Sequence, residues 1–267
     1  MRPSPVTVPS LLAMKERGEP IASLTCYDAS FCRLLENAGV DVLLVGDSLG
    51  MVVQGQQTTL PVTLEHMVYH CACVARRRER ALIVADMPFL AGATMERALD
   101  SARRLMQEGG AHMVKLEGGG PVVETVQRLT DRGVPVCAHL GLLPQSVHQL
   151  GGYRYQGRDL DSAEELLDDA LVLQEAGAAL LVVECIPADL AAEIGRALSI
   201  PVIGIGAGRD CDGQVLVLYD MLGLNPDRTP SFSQDFLKGR DGVAAALGAY
   251  VKAVKAGEFP SPAQTLF

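Results

Sequence analysis

Four aliphatic runs in this chain each end in one carboxylate: Val42-Leu43-Leu44-Val45-Gly46-Asp47, Leu82-Ile83-Val84-Ala85-Asp86, Met113-Val114-Lys115-Leu116-Glu117 and Leu180-Leu181-Val182-Val183-Glu184. Short aliphatic runs separated by helical stretches read as buried parallel strands. Parallel α/β folds carry their sites at the carboxyl ends of the strands. Acids gathered there repel: two carboxylates about 4 Å apart cost about 4 kcal/mol at an effective dielectric of about 20. A divalent cation, protonation or the Lys115 ammonium must offset that. An all-oxygen donor set selects a hard ion such as Mg²⁺, which takes one or two carboxylates and keeps waters. A single acid of this kind can simply cap the next helix. Four together point to an enzyme built around a metal. With side chains alternating, an inward Asp47 places Val45 and Leu43 on the axial face, as Asp86 does Val84, Glu117 does Lys115 and Glu184 does Val182.

Other residues carry weaker signals. Ser48, beside Asp47, reads as a hydroxyl for substrate or metal. His139 ends a further strand, placed either to donate to a substrate oxygen or to serve structurally. His66 and His70 share a helix face but lack the HExxH order of a zinc peptidase, so packing is the expected role. Gly204-Ile205-Gly206-Ala207-Gly208 lacks GxGxxG spacing, and a tight turn or an anion site both suit it. Seven cysteines without a CxxC pair indicate reduced thiols and a cytoplasmic setting.

These residues must be positioned by a regular frame. Strands are expected at Ile21–Tyr27, Asp41–Asp47, Ala81–Asp86, His112–Glu117, Val134–His139, Ala179–Glu184, Pro201–Ile205 and Val215–Asp220. Helices are expected at Ala29–Gly39, Thr63–Arg78, Thr94–Glu108, Gly120–Arg132, Ser162–Ala176, Pro187–Leu198 and Asp241–Ala256, with Thr63 as an N-cap and Ser162-Ala163-Glu164-Glu165 as a capping box. Eight βα units favour an α/β fold of the (β/α)₈ TIM-barrel type, one domain over residues 1–267. Leu49–Pro61 and Leu140–Gly157 lack helical periodicity and read as long site loops.

The chain has 267 residues, is 48% hydrophobic, lacks Trp and carries a net charge of −9. That acidity argues against nucleic acid or an anionic membrane as partner. Arg76-Arg77-Arg78 and Arg80 lie near a helix C-terminus and read as a solvated, dipole-favoured run. The first residues lack a signal-peptide core, and no apolar run reaches the roughly 18 residues of a membrane helix.

In combination, several stretches resemble the ketopantoate hydroxymethyltransferase family. They are Val45 through Met51, Thr59 through Thr63, Ala85 through Phe89, Val114 through Gly118, Ala138 through Gly141, Gln149 through Tyr153, and Gly204 through Gly208 continuing to Asp212-Gly213-Gln214. The resemblance runs from about Pro9 to Leu224. It departs at Gln56, Gln57, Leu143 and Tyr219, where the family usually has His or Tyr, an acid, Thr and His. It implies Mg²⁺ held by Asp47, Asp86 and Glu117, and a substrate touched by Asp47, Ser48, Asp86 and Lys115. It further implies Glu184 as proton acceptor, and a cytoplasmic homo-oligomer, decameric in bacterial relatives. The implied reaction moves a hydroxymethyl group from 5,10-methylenetetrahydrofolate to 3-methyl-2-oxobutanoate. A Mg²⁺-dependent 2-oxo-acid enzyme of the phosphoenolpyruvate mutase or isocitrate lyase type is the alternative, and would call for a reactive loop cysteine. A metal-binding scaffold would need neither Lys115 nor a separate base.

Overall fold

The computed structural model describes residues 4–225 and 229–265. Eight parallel strands close into a barrel in sequence order: β1 Ile21–Thr25, β2 Val42–Val45, β3 Leu82–Asp86, β4 Met113–Glu117, β5 Val136–Gly141, β6 Leu180–Glu184, β7 Val202–Ile205 and β8 Gly213–Leu216. Their residues are almost wholly buried, because each strand packs a helix layer on one side and the axis on the other. The β1–β8 seam is tied by Tyr250 of the helix Val243–Lys255, whose hydroxyl donates to the carbonyls of Ser23 and Gln214.

The two ends of the barrel differ in character. At the amino end, Asp41 accepts from the Ala22 N–H and pairs with Arg80 and Lys255, at 2.8 and 2.7 Å. Arg80 also donates to the carbonyls of Gly39 and Val40. So Arg78 and Arg80 are half-buried staples rather than the solvated run expected, while Arg76 and Arg77 are exposed. The carboxyl end carries the acids.

Several boundaries differ from the sequence reading for local reasons. Residues Leu218–Met221 turn into a short helix instead of extending β8, the Leu218 N–H being taken by the Thr25 hydroxyl. Asp159, not Ser162, caps the helix Leu160–Glu175, and Ser162 donates its N–H to that carboxylate from the third helical position. Thr63 caps its helix as expected. An additional helix, Val8–Glu16, precedes the barrel. Both expected loops hold short turns of helix, Leu49–Val52 in the first and Pro144–Ser146 with Val147–Leu150 in the second.

The facing of β2 also differs. Val42 and Leu44 line the barrel interior with Ser23, Val84, Lys115 and Val182, whereas Leu43 and Val45 point to the helix layer. Asp47 therefore does not continue their alternation. The strand ends at Val45, and the chain turns through Gly46 to bring Asp47 over the mouth. Gly46 sits where a Cβ would meet the Ser48 hydroxyl at 2.7 Å and the Asp86 carboxylate at 3.5 Å, so a side chain there would occupy the site.

Candidate active site

Asp47, Asp86, Lys115, Glu117, His139 and Glu184 meet at the carboxyl end of β2 through β6. Strand register does much of this: Asp86 lies beside Lys115, Glu117 beside His139, and Gly141 beside Glu184. At Gly141 the backbone takes a φ of 91°, and any Cβ would strike the Glu184 carbonyl. A residue without a side chain is what lets β5 pass that close.

The Lys115 ammonium is buried, 2.7 Å from Asp86 and 3.8 Å from Glu117. Burial opposes its charge, but Asp86, Glu117 and Asp47 outweigh that and hold it firmly protonated. The Asp47 N–H donates to the other Asp86 oxygen at 3.0 Å. Burial, reinforced by the charges of Asp86 and Glu117, pushes the Asp47 carboxyl well above the ordinary carboxylate range, against the pull of Lys115 and a Gln145 hydrogen bond. Glu117 goes the other way. Burial is overcome by His139, Lys115 and the Gln145 N–H, so its carboxyl stays below its usual range.

His139 lies between two acids, with Nδ1 3.5 Å from Glu117 and Nε2 3.2 Å from Glu184. Neither pair meets hydrogen-bond geometry, so both ring nitrogens are buried without a bonded partner. Burial and Lys115 disfavour the imidazolium, while Glu117 and Glu184 favour it and prevail. Glu184 is set apart from the Asp86–Lys115 pair, with His139 between it and Glu117, and its side chain is more open than those of the other acids, at 14% exposure.

Two residues escaped the sequence reading. Gln145, on the loop after β5, donates its side-chain amide to Asp47 Oδ2 at 2.8 Å and to the Met87 carbonyl at 2.9 Å, while its backbone N–H reaches Glu117 at 3.0 Å. The flagged Leu140–Gly157 loop was the only signal for it. Tyr27, buried beyond the end of β1, holds the Ser48 hydroxyl at 2.9 Å. One departure from the family pattern, Tyr219, stacks on Tyr27 and Phe31, at 5.9 and 6.2 Å between ring centroids. Gln56 and Gln57 are exposed on the β2 loop, and Leu143 begins the turn that carries Gln145.

The remaining candidates are structural. His66 accepts from the Thr63 N–H, and His70 Nδ1 bonds the Tyr27 carbonyl at 2.7 Å. The Gly204–Gly208 segment is a tight turn, with Gly208's carbonyl held by buried Gln214 and its α-carbons packed on Phe232 and Ala188. Cys185 follows Glu184 but is buried, and burial pushes its thiol up, away from a reactive thiolate.

Among the described residues, no three His, Cys, Asp or Glu side chains are arranged as a closed ligand set. Asp47 and Asp86 are nevertheless both buried at the mouth, joined by the Asp47 N–H to Asp86, with Glu117 close to Lys115 and His139. A divalent ion that takes two carboxylates and retains waters fits this arrangement.

The family model for ketopantoate hydroxymethyltransferase matches residues 5–262, so the likeness extends past Leu224. The chain is 60% identical to a 3-methyl-2-oxobutanoate hydroxymethyltransferase of Nitrosococcus oceani, over 96% of this chain and 97% of that one. It is 60% identical to one of Methylococcus capsulatus, over 96% and 95%. Among solved structures, a phosphonopyruvate hydrolase in complex with oxalate and Mg²⁺ matches with a TM-score of 0.61 and 11% identity, over 79% of this chain and 80% of that one. A 2,3-dimethylmalate lyase of the PEP mutase/isocitrate lyase superfamily matches with a TM-score of 0.59 and 18% identity, over 83% and 84%. These two share the barrel fold.

Proposed function

The chain belongs to the ketopantoate hydroxymethyltransferase family, and we propose that it transfers a hydroxymethyl group from 5,10-methylenetetrahydrofolate to C3 of 3-methyl-2-oxobutanoate, giving 2-dehydropantoate. The supporting observation is a division of labour in the mouth: Asp86 held by the Lys115 ammonium and the Asp47 N–H on one side, and a separate carboxylate across His139 on the other. Asp47 and Asp86 would hold Mg²⁺, with Glu117 as the third acid of the set. Bound there, the ion would supply Lewis-acid polarisation of the substrate's ketone.

Lys115 adds a fixed positive charge where negative charge develops on the oxo acid, in a water-poor site where such charges act strongly. Ser48, held by Tyr27, offers a hydroxyl to the substrate carboxylate. Glu184 takes the C3 proton, the carbanion forms its bond to the methylene carbon, and that carbon's two bonds to folate nitrogens break as water supplies the hydroxyl oxygen and tetrahydrofolate leaves. His139 stands between Glu117 and Glu184, so it would orient the ionised Glu184 carboxylate for the C3 proton. Donation from His139 to a substrate oxygen competes less well, because both ring nitrogens face acids.

The phosphoenolpyruvate mutase and isocitrate lyase alternative is shared fold without shared sequence, and Cys185 lacks the open thiolate it would call for. We read the chain as one domain acting on small molecules in the cytoplasm, assembled as a homo-oligomer, decameric on the family's pattern. No helix among the described residues is long and apolar enough to cross a membrane. The direct test is turnover of 3-methyl-2-oxobutanoate with methylenetetrahydrofolate, with and without EDTA. Product that forms with Mg²⁺ and stops with chelator is expected. Full activity in excess EDTA would remove the metal from the mechanism.

A further inference from the structure

The reaction needs a second ligand in the same mouth. The methylene carbon of the cosubstrate bridges N5 and N10 of a tetrahydropteridine, whose pyrimidine ring is flat and uncharged while its reduced ring is puckered. It must come within about 3–3.5 Å of C3 before a carbon–carbon bond can form. The barrel interior beneath the acids is filled by side chains, so the cosubstrate has to approach from the loops above. A flat heterocycle is best held there by a flat, solvent-open apolar wall.

Open apolar side chains are concentrated on those loops. Met51, on the short helix after Asp47 and Ser48, is 36% exposed, and Tyr153, on the loop after β5, is 49% exposed. The loop after β3 adds exposed Phe89 and Leu90. Tyr153 and Met51 come from opposite sides of sequence yet touch, the phenol donating to the Met51 sulfur at 3.4 Å. Sulfur against an aromatic residue makes an adaptable apolar surface. The helix that carries Met51 starts directly after Asp47 and Ser48, with the Gly50 N–H on the Asp47 carbonyl at 2.9 Å, which ties this contact to the mouth. Burial and then the charges of Glu184, Asp47 and Glu117 all push the Tyr153 phenol up. Phe89 on the β3 loop and half-buried Tyr155 remain as flanking rings, while three tyrosines are excluded by position. Tyr27 is buried, Tyr219 is stacked on Tyr27 and Phe31, and Tyr69 stands on the outer helix Leu64–Ala75.

We propose that the Tyr153 ring, backed by the Met51 thioether, is the seat on which the pteridine of the folate cosubstrate stacks, above the oxo acid. This rests on the function proposed above and adds the residues that would hold its second substrate. The half-open ring contributes little to the fold, so its removal should act on cosubstrate binding alone.

The test separates the two substrates. Abstraction of the C3 proton of 3-methyl-2-oxobutanoate, followed by NMR in D₂O, needs no folate. Tyr153→Ala should exchange that proton at the wild-type rate. Its KM for 5,10-methylenetetrahydrofolate should rise about 5- to 150-fold, the range for loss of an aromatic stacking partner. Tetrahydrofolate binding by calorimetry should weaken in parallel. Tyr153→Phe, which keeps the ring and loses the hydroxyl, should restore most of the affinity, and Met51→Ala should fall between. An unchanged folate KM in Tyr153→Ala overturns the assignment, as does equal loss of proton exchange. An unchanged KM with an altered elution volume would identify this face as a contact between copies of the chain, and also overturns it. A wild-type chain that neither exchanges the proton nor turns over would instead refute the proposed function itself.

Discussion

Gln145 offers the sharpest perturbation of the proposed metal ligands, because it touches Asp47 and Glu117 without being charged. Gln145→Leu keeps the volume and the backbone N–H to Glu117, and removes the side-chain donors to Asp47 and to the Met87 carbonyl. The bond to Asp47 has a carboxylate acceptor, and bonds to charged groups contribute about 1.5–3 kcal/mol. That range corresponds to about 10- to 150-fold in an equilibrium constant. Removal of groups that orient metal ligands weakens metal binding by about 10- to 100-fold, in agreement. The variant should therefore need about 10- to 100-fold more Mg²⁺ for half-maximal C3 proton exchange, with weaker Mn²⁺ binding by electron paramagnetic resonance and an unaltered far-UV spectrum. Gln145→Glu should be worse than Gln145→Leu, since it sets a new acid beside Asp47. A Mg²⁺ midpoint within about twofold of wild type in the Leu variant would show that Asp47 is held without Gln145, and would refute this account of the loop.

Lys115→Met should raise the KM for the oxo acid, slow turnover and cost about 3–5 kcal/mol of stability in urea unfolding, because it leaves Asp86 and Glu117 buried without their cation; unchanged kinetics would place Lys115 outside the reaction. Gly141→Ala should lower stability by about 2–4 kcal/mol, from a left-handed φ combined with a clash against the Glu184 carbonyl, and a thermal scan matching wild type would contradict that close approach. His112 accepts from the Ile83 N–H, and burial, aided by Arg78, lowers its pKa. The unfolded chain thus protonates first as pH falls, so this contribution is complete well above about pH 6.5 and declines below it. The melting temperature should drop more between about pH 7.5 and 5.5 in wild type than in His112→Gln, and parallel curves would remove His112 from the pH response.

The eight strands were legible because barrel strands are buried on both faces and stand out as aliphatic runs. The carboxyl ends at Asp86, Glu117, Glu184 and Ile205 fall where expected, whereas that of β2 does not. Alternation extrapolated from Leu43 and Val45 to Asp47 fails because the ladder stops at Val45, and a turn, not a pleat, aims Asp47. Asp86, Glu117 and Glu184 lie within their strands, so alternation served for them. Gln145 was hidden for a different reason. Loop residues carry no periodicity, and what brings it to the mouth is contact with Asp47, 98 residues away in sequence. The arginine run was misread because its burial depends on Asp41 and on carbonyls from another turn of chain.

The central claim is that Glu184 removes the C3 proton while Asp47 and Asp86 hold the metal. It is tested most directly by exchange of the C3 proton of 3-methyl-2-oxobutanoate in D₂O, measured for Glu184→Gln with Mg²⁺ and without folate. Loss of a general base costs about 10²–10⁴ in rate. The account predicts a loss of that size with Mg²⁺ and oxo-acid binding retained. Exchange at the wild-type rate would contradict it, and loss of Mg²⁺ binding would make Glu184 a metal ligand instead of the base.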